Sequence, residues 1–166
     1  LDGVGDAHED IRRVWHAFER AMDTVRAMRE LQKKKFFNFG VSFTFTAQNM
    51  EEGDRIYELC KKEDLNVVFS IARYSELAFG NMDLVESTEL KDEDFPRLAS
   101  FFRKRVRESS LVDGDALLYQ GYVKMFENKM KRALPCPSMD QGVLLNPNGD
   151  FTYCENSRIL GNLRQS

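Results

Sequence analysis

Phe39 to Ala47 reads FGVSFTFTA, and nineteen residues further on Val67 to Ala72 reads VVFSIA. Both runs are short and rich in apolar, β-branched and aromatic residues, the composition expected of strands buried on both faces. Between them Ile56, Leu59 and Cys60 fall on one side of an amphipathic helix expected from about Glu51 to Glu63. Upstream, Phe18, Ala21, Met22, Val25, Met28 and Leu31 form the apolar stripe of a helix over residues 17–33. The order helix, strand, helix, strand implies parallel strands joined by crossover helices. Downstream, Phe95, Leu98, Phe102 and Val106 predict a third helix, and Leu118, Tyr122, Phe126 and Met130 a fourth. Tyr74 to Asp94 has no sustained period and reads as a long loop, a type usually functional or mobile.

Length and composition set the frame. With 166 residues, 42% apolar and 31% charged, the chain has the profile of a globular domain with a real core, and 13 Phe against one Trp predict that medium aromatics fill it. A net charge of -3 and a pI near 5.5 argue against a nucleic-acid partner, which rewards a basic excess. The clusters Lys33-Lys34-Lys35, Arg103-Lys104-Arg105 and Lys129-Met130-Lys131-Arg132 fall near expected helix ends, where they read as solvated faces offsetting the helix dipole. No apolar stretch reaches the roughly 18 residues of a spanning helix. The expectation is a cytoplasmic protein with neither nucleic acid nor membrane as partner.

The tail changes character at Pro135. Gly142 to Cys154, GVLLNPNGDFTYC, reads as two short strands around Asn146-Pro147-Asn148-Gly149-Asp150, a strong hairpin signal. Cys136 and Cys154 bracket it, so a hairpin would bring two thiols toward one another. On spacing alone they could be iron–sulfur ligands, a disulfide, ordinary buried thiols or half of a zinc site. Cys60 reads as a core thiol. His8 and His16 lack the spacing of metal ligands.

Leu160-Gly161-Asn162 completes a tail of Cys136, Gly142, Pro147, Gly149, Asp150 and Cys154 that resembles the start of the SPASM or twitch extension of radical S-adenosylmethionine (radical-SAM) enzymes. The opening is similar to the same family: Leu1-Asp2-Gly3, His8, Asp10-Ile11-Arg12 and Phe18-Glu19-Arg20-Ala21 resemble the fourth barrel strand and its helix. FTFTAQN, ending at Asn49, resembles the fifth strand, and VVFSIAR, ending at Arg73, the sixth. Arg13 and His16 stand where that family usually carries glycine.

The resemblance implies an α/β fold: the C-terminal half of a partial (β/α) TIM-like barrel over residues 1–133, followed over 134–166 by a small β-hairpin SPASM/twitch segment. The opening Leu-Asp-Gly reads as the end of a strand, and the expectation is a piece of a longer enzyme. The family's cofactors are S-adenosylmethionine and 4Fe-4S clusters. Barrel chemistry sits at strand C-termini, so Asp2, Gly3 and Arg12 are placed near the ribose or methionine carboxylate, and Asn49, Ser70 and Arg73 along the cofactor and substrate cavity. Cys136 and Cys154 are placed as auxiliary-cluster ligands. The plainer readings are a surface salt bridge from Arg12 to Asp6 or Glu9, and a helix N-cap for Asn49. Residues 1–166 contain no C-x3-C-x2-C triplet, so this piece is expected to be inactive alone. Expected partners are a peptide or small-molecule substrate and an electron-donor protein. The alternative is a non-catalytic α/β module that binds a peptide or protein partner.

Overall fold

The computed structural model describes residues 1–76, 79–109, 114–131, 142–154 and 157–165. In chain order its elements are α1 (Asp6–Arg12), α2 (Ala17–Gln32), β1 (Gly40–Phe45), α3 (Glu52–Lys62), β2 (Asn66–Ile71), a 3-10 turn (Met82–Leu84) running into α4 (Val85–Thr88), α5 (Phe95–Glu108), α6 (Gly114–Glu127), and the short strands β3 (Leu144–Leu145), β4 (Asp150–Thr152) and β5 (Gly161–Asn162). β1 and β2 pair in parallel, from Gly40 opposite Asn66 to Phe45 opposite Ile71, with α3 as the crossover that such a pair requires. β3, β4 and β5 form a separate antiparallel sheet. The fold is therefore mixed α/β. Among the described residues no barrel closes, and no helix is long and apolar enough to cross a membrane.

The two parallel strands are not buried on both faces. Val41, Phe43, Phe45, Phe69 and Ile71 are buried, whereas Gly40, Ser42 and Val68 are exposed and Thr44 and Ser70 half-buried. α3, α5 and α6 pack on one face, so the side-chain period of two separates an aromatic side from a hydroxyl-bearing side. On the aromatic side, ring centroids of Phe45 and Phe69 lie 5.0 and 4.9 Å from Phe101 of α5, both edge-to-face. Phe102, fully buried, meets Tyr119 at 5.3 Å and Tyr122 at 4.9 Å on α6. Burying a Phe side chain contributes about 1.5–3 kcal/mol, and good ring pairs add about 0.5–1.5 each. α3 reaches this layer because Gly53 has no side chain: a Cβ there would lie 2.6 Å from the Phe45 ring.

Three sequence expectations change register or extent. α6 buries Ala116, Tyr119 and Phe126, while Leu118 and Met130 of the expected stripe are each 41% exposed. Tyr119 decides this rotation: its ring joins the aromatic layer and its Oη accepts the Phe69 N–H at 3.3 Å, satisfying a donor on β2. The stretch 74–94 is not all loop. It holds the 3-10 turn and α4, and is stapled by Tyr74 Oη to Thr88 Oγ1 at 2.9 Å and by the Ala47 N–H to the Thr88 carbonyl at 3.0 Å. Arg105, expected on a solvated face, is 2% exposed. Its guanidinium lies 3.5 Å above the Tyr57 ring, with Glu108 Oε2 at 3.2 Å and Asp54 Oδ1 at 3.5 Å from Nη2, while Nε and Nη1 have no hydrogen-bond partner. Burial and a hydrogen bond with Glu108 push the Tyr57 pKa up.

The tail hairpin forms where expected, and Leu160-Gly161-Asn162 adds a third strand to it. The Asn146 N–H donates to the Asp150 carbonyl at 2.8 Å, and Gly149 turns the chain at φ 93°. Asn162 Nδ2 donates to Asp150 Oδ1 at 2.7 Å, so the turn and β5 are locked by polar groups. Gly161 is needed for space, because a Cβ would lie 2.8 Å from the Phe151 ring.

Candidate functional site

The residues expected at strand C-termini gather largely on one side of β1. The Leu1 amine donates to the Ser42 carbonyl at 2.9 Å, laying the first residues along the open edge of β1. Asp2 then meets three elements. Its carboxylate pairs with Arg12 at the end of α1, its N–H donates to His8 Nδ1 at 3.0 Å, and its carbonyl accepts from Asn49 Nδ2 at 3.1 Å. The salt bridge foreseen for Arg12 thus exists, with Asp2 in place of Asp6 or Glu9.

Asn49 is 2% exposed and its amide is fully engaged. Oδ1 accepts from the Thr46 N–H at 2.8 Å and Oγ1 at 3.2 Å, and Nδ2 also donates to the Thr44 carbonyl at 3.0 Å. This is all the bonding an amide side chain has to offer. It makes no side-chain cap for α3, whose first turn is served by the Asn49 backbone carbonyl. Gly3 is a place of close approach: a Cβ would lie 2.8 Å from Ala7 Cβ and 3.2 Å from Glu52 Cγ. Glu52, passed over in the sequence, is buried there; Oε2 accepts the Val4 N–H at 2.8 Å and Oε1 the Arg55 guanidinium at 2.6 Å. The readable signal was an acidic residue in the first turn of a helix following a strand.

His8 is buried, and desolvation lowers its pKa against the opposing pull of the Asp2 carboxylate 3.7 Å away. The acceptor role of Nδ1 toward the Asp2 N–H also requires that nitrogen to be unprotonated. Arg13 and His16 on either side of the α1–α2 junction have φ of 54° and 57°. Those left-handed values explain why glycine would suit both positions.

Asp2 and Arg12 open onto a concavity of about 490 Å³, lined also by Thr24, Val25, Ser42 and Thr44. Its size falls in the range of small-molecule sites. Ser70 joins this face through a 2.9 Å hydrogen bond between its Oγ and Thr44 Oγ1. Arg73 does not line the concavity; its carbonyl accepts from Asn81 Nδ2 at 3.0 Å, and its charge bears on Tyr122 of α6. Two further concavities lie along α5: about 340 Å³ beside Phe95, Arg103 and Phe126, and about 170 Å³ beside Asp54, Arg97 and Phe101.

The cysteines fare differently. Cys60 is the core thiol expected, 1% exposed, with its pKa pushed up to about 11 by burial. Cys154 is a half-buried free thiol just past β4, its N–H donating to Ser157 Oγ at 3.1 Å. Cys136 lies outside the described residues. Among the described residues no three His, Cys, Asp or Glu side chains converge as metal ligands, so these residues do not by themselves fit a 4Fe-4S cluster. For S-adenosylmethionine the fit is better. A carboxylate and a guanidinium, with Thr24, Ser42 and Thr44 hydroxyls in the same lining, are complementary to a zwitterionic, hydroxyl-rich ligand.

No protein-family model matches the chain, and comparison with curated proteins and with solved structures returns no match.

Proposed function

We propose that the chain is the trailing part of a radical-SAM enzyme's partial barrel, leading into an auxiliary-cluster segment of SPASM type, and that its concavity beside β1 binds S-adenosylmethionine. One observation carries the reading: the Asp2–Arg12 ion pair is tied through the buried Asn49 amide to the C-terminal side of a parallel strand, next to a hydroxyl-bearing sheet face. Parallel α/β folds keep their ligands toward that end of the strands, and the concavity runs along β1 from Gly40 up to Thr44 beside it. The left-handed backbone at Arg13 and His16, the two positions where the family carries glycine, supports it.

Bound S-adenosylmethionine in such enzymes supplies hydrogen-atom abstraction from a peptide or small molecule, once an electron-donor protein and an iron–sulfur cluster have provided an electron. The share of this chain is to hold the ligand. Arg12 receives the carboxylate, Asp2 the ammonium or a ribose hydroxyl, and Thr44, hydrogen-bonded to Ser70, lines the wall. His8 and Asn49 fix the Asp2 backbone from two sides. By the resemblance, Cys136 and Cys154 would supply two of the four ligands of an auxiliary cluster.

Equilibrium dialysis of the 166-residue chain against labelled S-adenosylmethionine tests the ligand. Saturable binding is expected, weakened roughly tenfold or more in Arg12→Ala through loss of a charged hydrogen bond. Absence of saturation up to about 1 mM, a binding energy of only about 4 kcal/mol, would refute it. Anaerobic loading with iron and sulfide tests the cluster: colour that persists in the Cys154→Ala variant counts against it.

A partner-binding module is the second reading, favoured by three exposed apolar side chains on the 79–84 segment: Phe79 at 46%, Met82 at 52% and Leu84 at 48% exposure. Binding of S-adenosylmethionine that is lost in Arg12→Ala separates the enzyme from that module.

A further inference from the structure

The end of the molecule where β1 and β2 begin carries a different chemistry. Their first residues, Gly40 and Asn66, are register partners, and α2 and α3 both run out toward them. Lys33, Lys34 and Lys35 follow α2, and Lys61 and Lys62 close α3; all five side chains are exposed. The acids at the same end are Glu30, paired with Lys33 at 2.6 Å, Glu58 near the end of α3, and Glu63 and Asp64 after it, four against the five lysines. A slight basic excess therefore collects locally on a chain whose net charge is -3. With a Debye length of about 8 Å at physiological salt, the distant acids are screened from whatever this end meets.

Phe36 stands directly beyond the lysines and is completely exposed, at 101% of its reference area. The chain on either side holds it out. The Lys34 and Lys35 N–H groups both donate to the Leu31 carbonyl, at 2.9 and 3.0 Å. Gln32 Nε2 donates to the Phe37 carbonyl at 2.9 Å, and the rings of Phe37 and Phe39 meet at 6.1 Å. Leu31, 51% exposed, lies one helical turn back.

We propose that this lysine–phenylalanine tip docks on an anionic membrane surface. Lysines clustered at the lipid headgroups are each attracted by the negative surface potential, and an aromatic ring inserts at the interface. A protein partner fits less well. Lysine is depleted from protein interfaces, which need on the order of 800 Å² per partner around a packed centre. The tip offers one projecting ring, and of the three concavities described above only the one beside β1 reaches this end, at Gly40. The contact is peripheral, two weak signals acting together, and it departs from the sequence reading in which these lysines form a solvated face. It stands independently of the ligand proposed beside β1.

Co-sedimentation of the 166-residue chain with phosphatidylcholine vesicles, with and without phosphatidylserine, tests it. Binding is expected only when phosphatidylserine is present and falls with added salt. Replacing Lys33, Lys34 and Lys35 by Gln weakens it about fivefold per lysine removed. Phe36→Ala weakens it several-fold while leaving the salt dependence unchanged; the side chain touches only solvent, so this variant keeps the parent's circular dichroism. Equal binding to neutral vesicles, no sedimentation with either kind, or full retention by the triple Gln variant overturns the proposal. So does polyglutamate binding that matches vesicle binding and ignores Phe36→Ala, which assigns the tip to an acidic protein instead.

Discussion

The aromatic layer and the tail sheet are held by opposite kinds of force. Around β1 and β2, residues far apart in the chain bury rings against one another, and hydrogen bonds are secondary. In β3–β5 the strands are two or three residues long, and Val143, Leu144 and Leu145 are 60%, 43% and 57% exposed. Order there comes from the turn: Asn148, Asp150 and Asn162 bond one another's side chains and backbone. The first region is cooperative with the whole molecule, whereas the second can be perturbed alone. Net hydrogen bonds contribute about 1 kcal/mol each, and a buried ring several times that.

Phe102→Ala is the strongest test of this contrast. Phe102 contacts rings of Phe45, Phe101, Tyr119, Tyr122 and Phe126. A loss of about 3–5 kcal/mol in urea unfolding is expected, a large part of a typical domain's stability; a loss below about 1 kcal/mol would mean the layer is not the core.

Arg105 sharpens the same point with polar chemistry. Its partners Asp54 and Glu108 keep 62% and 39% side-chain exposure, so removing the cation strands no buried anion. The cost of Arg105→Ala is therefore mainly lost packing over Tyr57, about 2–3 kcal/mol. Arg105→Met refills the space and leaves no unpaired donors, so its stability should lie within about 1 kcal/mol of the parent or above it. Equal losses in both variants would show that the charge itself matters.

In the tail sheet, Gly161→Ala should force the Phe151 ring aside at about 1–3 kcal/mol. Hydrogen exchange should quicken at the Leu160 and Leu163 amides while Phe45 and Phe69 stay protected; joint loosening would erase the distinction between the regions. The smallest effect belongs to the α1–α2 junction. A left-handed non-glycine residue costs about 1–2 kcal/mol, and glycine loses about 0.5–1 in unfolded-chain entropy. Arg13→Gly and His16→Gly should each stabilise by about 0.5–1 kcal/mol, or about 1–4 °C in Tm, and a drop in Tm would show that neither position is strained.

Local patterning was enough to place most elements. Expected spans 17–33, 39–47, 51–63 and 67–72 correspond to Ala17–Gln32, Gly40–Phe45, Glu52–Lys62 and Asn66–Ile71. The tail hairpin followed from its turn residues, because Asn, Gly and Asp fix a turn by bonding their own backbone. Short α1 and α4 were missed, having too few turns to show a period. At the candidate site, Asp2, Gly3, Arg12 and Asn49 were legible as a group only through the family resemblance. Asp2 meets His8 and Arg12 within the opening segment, whereas Asn49 and Glu52 reach that segment from more than forty residues away.

Periodicity and turn chemistry, properties of neighbours along the chain, thus determined which residues become helix, strand and hairpin. Tertiary packing alone decided which face of β1 and β2 is covered, which side of α6 turns inward and that Arg105 goes inside. A strand carries two faces and a helix several near-equivalent stripes, and only the area buried against a distant partner chooses among them.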